Sequence, residues 1–262
     1  DYAIKTGGLE VYPRLIAAEH RPGFVAEMLP SGLTELDALW GGGIDRGTST
    51  LIMGPAGAGK SSIAAQYAVS AAGRGETAAV YLFDEGIQTF LTRIRGLGLD
   101  PDADINNGRL RLEQIDPAEL SPGEFVTRIR RAVEIKSAKV VVIDSLNGLL
   151  NDMPGEQRLL LQLHELITFL NQQGVATFLV MAQHGLLGKD MISPVDVSYL
   201  ADSVLLLRFF EARGEVKQAI SVVKKRTGRH ERSIREMQFD GRIRIGHPLK
   251  QFRGILSGVP EV

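Results

Sequence analysis

The sequence predicts an α/β fold: a mostly parallel twisted sheet flanked by helices, finished at one edge by antiparallel strands. Three observations predict it. Short apolar runs alternate with helix-spaced segments over residues 49–207, as strands joined by crossover helices require. A glycine-rich run, residues 54–61, stands between one such strand and one such helix. From Phe209 onward the alternation stops and turn-separated strands follow one another.

Taken in order, residues 49–53 form a short buried strand, and residues 62–68 the first turns of a helix. Residues 78–83 are continuously apolar, which predicts a central strand, and 87–95 follow with helical spacing. Leu110, Leu112 and Ile115 alternate with polar residues, as at a sheet edge. Residues 122–136 predict a helix N-capped by Ser121, and 139–144 the clearest central strand. A long amphipathic helix spans 157–173 and is closed by Gly174. Residues 176–181 and 203–207 are further buried strands. Arg213-Gly214-Glu215 predicts a turn, with antiparallel strands over 218–225 and 233–240.

Gly54-Pro55-Ala56-Gly57-Ala58-Gly59-Lys60-Ser61 fills every fixed position of the phosphate-binding pattern G-x-x-x-x-G-K-[ST]. A strand before it and a helix N-terminus after it, through Ser62, aim backbone N–H groups and the helix dipole at one point. Gly54, Gly57 and Gly59 keep side chains out of the way of a polyphosphate. Lys60 is placed for the β- and γ-phosphates, and the Ser61 hydroxyl for Mg²⁺. The chain is therefore expected to bind a nucleoside triphosphate, ATP with Mg²⁺.

The 262 residues, 44% of them hydrophobic, suffice for one large domain with an appendage. A net charge of −1 gives no global attraction to nucleic acid or to an anionic membrane. With no cysteine there is no disulfide framework, thiolate zinc site or cysteine nucleophile, which fits a reducing, cytoplasmic compartment. No apolar run approaches the ~18–20 residues of a membrane span. The first residue is Asp1 rather than methionine, which suggests a piece of a longer protein.

Asp144 closes an apolar strand downstream of the phosphate loop, the position from which an acid holds Mg²⁺. Asp84 and Glu85 end the strand 78–83. Sheets of this kind bind ligands beyond the carboxyl ends of their strands, which places both beside the γ-phosphate. Either acid can orient and deprotonate an attacking water, and Asp84 can add a metal contact. Gln183 closes the strand 176–181 in the same way, as a γ-phosphate sensor.

The densest positive patch is Lys224, Lys225 and Arg226 with Arg229, His230 and Arg232. It suits a solvated edge, a nucleic-acid surface, or cations donated to a neighbour's triphosphate. On strand period Lys224 and Arg226 face one way and Lys225 the other. No aromatic interleaves them for base stacking. Supplied in trans, such cations are worth ~10³–10⁵ in rate.

Taken together, these motifs resemble the KaiC family, the circadian-clock branch of the RecA-like ATPases. The points of contact are residues 29–37, Gly41-Gly42-Gly43 with Arg46-Gly47, the phosphate loop, and residues 83–85 and 142–145. The tail adds 224–230, 234–236 and 252–258, and the resemblance covers about residues 28–258. It implies a RecA-like fold with ATP between the subunits of a homo-oligomeric ring, usually a hexamer. Lys224, Arg226 and His230 would then approach the neighbour's nucleotide, with Lys225, Gly228 and Arg232 completing the contact set. The family's acidic pair falls on Asp84 and Glu85, with aspartate where glutamate is usual. Leu97 takes a place near the adenine where clock members carry an aromatic ring. Their serine and threonine phosphorylation sites fall on Ser198 and Tyr199, so the serine matches and the tyrosine departs. The family's activity is ATP hydrolysis with serine/threonine autokinase function, in timing or signalling with partner proteins.

Clock members carry two such domains in tandem, and the chain itself hints at this. Residues 6–11 echo residues 240–245, and Leu15 falls opposite Leu249. Residues 1–25 are accordingly expected to end a preceding domain and link it to a RecA-like domain over 26–262. A DNA-dependent ATPase of recombinase or helicase type is the rival, and a nucleotide-gated scaffold with vestigial hydrolysis is a third option. Loops 147–157 and 183–196 decide against DNA: the first is acidic and the second carries one lysine and no aromatic ring.

Overall fold

A computed structural model describes residues 1–20, 23–152, 156–183 and 198–255. An N-terminal hairpin, β1 (Tyr2–Lys5) and β2 (Gly8–Val11), forms a two-stranded sheet of its own. Then come β3 (Met28–Leu29), α1 (Thr34–Leu39), β4 (Ile44–Asp45), β5 (Ser49–Gly54) and α2 (Lys60–Gly73). The middle of the chain gives β6 (Thr77–Leu82), α3 (Ile87–Gly96), α4 (Asp102–Asn106), β7 (Leu110–Gln114), α5 (Pro122–Glu134) and β8 (Ala138–Asp144). It closes with α6 (Leu146–Asp152), α7 (Glu156–Gln172), β9 (Ala176–Ala182), β10 (Ser203–Ala212), β11 (Glu215–Lys225), β12 (Arg235–Phe239) and β13 (Ile243–Pro248).

Nine strands make the main sheet in the order β13-β12-β11-β10-β5-β9-β8-β6-β7. From β10 to β7 every neighbouring pair is parallel, and from β10 to β13 every pair is antiparallel. The α/β architecture and the antiparallel edge are those the apolar runs predict. β7 lies at the edge, as its alternating pattern requires. Ser121 caps α5 by accepting a hydrogen bond from the Glu124 amide at 3.2 Å. The difference lies in β10, which runs past residue 207 to Ala212. Its first half pairs in parallel with β5, and its whole length pairs with β11. One strand thus serves both halves of the sheet. The short helices α1 and α4, six and five residues long, carried no readable period.

Both faces of the sheet are covered. α2 packs on one face, where Tyr67 stacks on Phe178 of β9 at 4.7 Å between centroids. Burying aromatics of this size stabilises by ~2 kcal/mol each. α5, α6 and α7 pack on the other face over Val141, Ile143 and Leu179. The parallel strands end together at one rim. Among the described residues no helix is long and apolar enough to cross a membrane.

Candidate functional site

At the carboxyl ends of β5, β6, β8 and β9 lies a cleft of about 620 Å³. The chain reaches it from β5 through the glycine loop. Gly57 and Gly59 adopt φ of 77° and 97°, a left-handed backbone that a Cβ would strain. A Cβ on Gly54 would lie 2.7 Å from the Leu207 carbonyl of β10, so glycine also lets the two strands approach. Gly59 stands at the N-cap of α2, whose first residues Lys60, Ser61 and Ser62 line the cleft with Ala56. Ala58 is fully buried beneath the loop.

Lys60 is buried, and its Nζ donates to the Pro55 carbonyl at 2.7 Å. Burial pulls its ammonium down to about 8, opposed by the carboxylates of Asp144 and Asp84. A buried cation held by one backbone carbonyl is matched to an incoming anion. The Ser61 hydroxyl donates to Asp144 Oδ1 at 3.1 Å. Burial pushes the Asp144 carboxyl up to about 6, with the Ser61 bond and Arg93 pulling it back and Glu85 and Asp84 adding to the rise. A hydroxyl and a buried carboxyl in contact, beside a phosphate cradle, form a hard-oxygen donor set suited to Mg²⁺.

The acidic pair divides. Asp84 is exposed in the cleft and accepts a hydrogen bond from the Ser145 hydroxyl. Glu85 turns toward α3, where Arg93 binds it; Arg93 also donates to Ser62 Oγ at 3.1 Å. Leu97 lines the cleft. Sequence reasoning missed Arg93 and Phe239. Arg93 stands on α3 eight residues beyond Glu85, which precedes the helix, so helical spacing does not tie the two. Phe239, at the end of β12, sits over Gly59 so closely that a Cβ there would collide with its ring. No local signal ties residue 239 to residue 59, and only the antiparallel edge brings them together.

The basic residues lie elsewhere. Ser49, at the start of β5, bonds Asp202 through its amide and hydroxyl, both at 3.0 Å. Asp202 binds Arg226 at 3.3 Å, and Arg226 also donates to the Tyr199 carbonyl at 3.2 Å. Lys224 Nζ donates to the carbonyls of Ser198 and Ala201 at 2.9 and 2.7 Å. Lys224, Arg226, Ser198 and Tyr199 therefore gather at the amino end of β5, roughly 17 Å along the strand from the phosphate loop. As the strand period requires, Lys225 points the other way. It pairs with Asp45 at 3.0 Å and donates to the Trp40 carbonyl at 2.7 Å, which leaves its side chain 3% exposed. Arg226, Gly228 and Arg232 are exposed and His230 is half-buried. Tyr199, 56% exposed, is no core residue. Gln183 accepts from Arg208, so its amide is held at the rim of β9. Of the loops weighed for DNA tracking, residues 153–155 and 184–196 lie outside the described residues.

The model of the KaiC ATPase family matches residues 29–248. The circadian clock protein KaiC3 of Synechocystis sp. is 27% identical over 235 residues, 88% of this chain and 46% of that protein. The circadian clock oscillator protein KaiC of Thermosynechococcus vestitus is 26% identical over 232 residues, 88% of this chain and 44% of that protein. The oscillator protein of Picosynechococcus sp. is 24% identical over 261 residues, 99% of this chain and 50% of that protein. The chain spans about half the length of these relatives.

Proposed function

The chain belongs to the KaiC family of ATPases, and we propose that it binds Mg·ATP in the cleft above β5 and hydrolyses it within a ring of identical subunits. The observation that carries this is the separation along β5. The cradle, Lys60, Ser61, Asp84 and Asp144 stand at one end, and the proposed cations stand about 17 Å away at the other. Lys224 and Arg226 cannot serve the nucleotide of their own chain at that distance. They serve a neighbour's when protomers pack end to side, which is how a heterologous contact closes a ring.

When bound, the nucleotide supplies the electrophilic γ-phosphorus, and Mg²⁺ the charge that shields its oxygens. The loop amides and Lys60 bind the phosphates, and Ser61 and Asp144 hold the metal. Asp84, exposed in the cleft, orients the attacking water and takes its proton. Leu97 and the Phe239 ring flank the base. His230, Gly228 and Arg232 accompany Lys224 and Arg226 toward the neighbour, whereas Lys225 serves by anchoring their strand to Asp45.

On this reading Ser198, with Tyr199 beside it, would accept a phosphoryl group only in trans. Incubation with Mg·ATP followed by intact-mass analysis and phosphopeptide mapping checks this, and an unmodified 198–199 peptide leaves hydrolysis alone. The names of the relatives support a role in timing, with clock partners; their absence from pull-downs made with this chain would argue for a different output. For hydrolysis itself the deciding test is phosphate release against protein concentration. Turnover per protomer should rise as rings form, and a constant value would remove the trans site.

We also propose that residues 1–25 are the terminal segment of a preceding domain. β1–β2 pairs Ile4 with Leu9 and Tyr2 with Val11, as β12–β13 pairs Phe239 with Ile243 and Met237 with Ile245. In the C-terminal hairpin that face is packed on the core, and in the N-terminal hairpin its four residues are 60–82% exposed. Replacing Ile4 and Leu9 with serine should leave the melting of this chain unchanged; a large drop would tie the hairpin to the present domain instead.

A further inference from the structure

We propose that Arg93 is a positioning residue: it binds Glu85 and holds that carboxylate away from the triphosphate, leaving Asp84 to face the reacting centre. The inference rests on the nucleotide site proposed above. Arg93 projects from α3 with its fork divided, one nitrogen on Glu85 and the other on Ser62 in the first turn of α2. Its guanidinium lies 5.2 Å from the centre of the Phe90 ring, which fixes the plane of the fork. Glu85 and Arg93 are half-buried, 22% and 27% exposed, so their pairing is only partly screened by water. The clasp thus joins the turn after β6, helix α3 and the phosphate-binding helix.

Charge makes the clasp necessary. Asp84, Glu85 and Asp144 all line the cleft, against Lys60 and Arg93. A triphosphate adds further negative charge to that space, and an unpaired Glu85 would repel it. Asp84 has a different partner, the Ser145 hydroxyl, which leaves its charge in place. Lysine could not replace the arginine fully, because the two bonds diverge from one planar group.

The test is calorimetric binding of Mg²⁺ with a non-hydrolysable ATP analogue to wild type, Arg93→Gln, Glu85→Gln, the double variant and Arg93→Lys. Arg93→Gln should weaken binding about tenfold, and adding Glu85→Gln should recover most of that loss. Arg93→Lys should fall between, since it keeps the charge and loses the fork. Wild-type affinity in Arg93→Gln, or a double variant no better than Arg93→Gln, would overturn the proposal; the second result would mean that Arg93 touches the nucleotide itself. Should Arg93→Gln not fold, Arg93→Lys carries the test, with a smaller loss that Glu85→Gln again reverses. Failure of the wild type to bind would overturn the nucleotide site and this inference together, whereas binding without coupling sinks the Arg93 role alone.

Discussion

At the carboxyl end of β5 the chain gathers a buried lysine and three carboxylates around an open cleft. At the amino end it gathers Lys224 and Arg226 around the turn that bears Ser198 and Tyr199. The upper end is built by glycine backbone and burial, so its groups are perturbed even in one chain. Lys60 is drawn down to about 8 and Asp144 pushed up to about 6. The lower end is built by exposed or half-exposed side chains that satisfy local carbonyls and Asp202. The difference teaches that one end holds groups perturbed by burial within a single chain, while the cations of the other already have intrachain partners, which the proposed trans role requires them to exchange.

The sharpest way to break this comparison is Lys60→Ala. It should remove nucleotide binding and lower hydrolysis by at least ~10³-fold while leaving the far end of the strand intact. Equilibrium binding of a fluorescent nucleotide checks it, and retained binding would show that the cleft is not the site. Arg226→Ala comes next, with hydrolysis reduced by about 10³-fold and binding by one protomer little changed. Mixing equal amounts of the two variants sharpens the test. Random rings would hold intact interfaces at about a quarter of positions, so turnover should recover to roughly that fraction. No recovery would place both residues in one site.

Acid should act on the upper end first. The metal needs Asp144 ionised, so affinity for Mg²⁺ should fall by up to ~10-fold per pH unit below about pH 6, read by titration with the ATP analogue present. The smallest effect concerns the ligand-free fold. A carboxyl raised above its usual range favours its protonated form, so its stabilising contribution is full below about pH 4 and is lost as pH rises through about 6. At pH 7–8 the ionised Asp144 therefore costs about 3 kcal/mol. Asp144→Asn should recover part of that in urea unfolding without ligand, while losing the metal. An unchanged midpoint would mean that the carboxyl is solvated.

Much of the upper end was legible because its parts are local. The phosphate loop, the strand before it and the helix after it lie within 25 consecutive residues, and residue type reports backbone demand there directly. Asp144 and Asp84 were legible because apolar runs mark the strands they end. Short helices were not, since α1 and α4 are held by packing rather than by period. Phe239 was hidden for another reason. Its place over Gly59 follows from β12 lying two strands from β10, a pairing that no spacing encodes.

By itself the sequence determined the order of the longer strands and helices, the glycine loop between β5 and α2 and which acids and cations are the candidates, because each depends on backbone sterics or on a strand's own period. Only the tertiary structure decided which of them share a site. It parted Asp84 from Glu85 by giving each a different partner, sank Lys225 against Asp45, and set Arg226 a strand's length from Lys60. Those outcomes depend on through-space contacts between residues up to 185 positions apart, and distance along a chain carries no record of them.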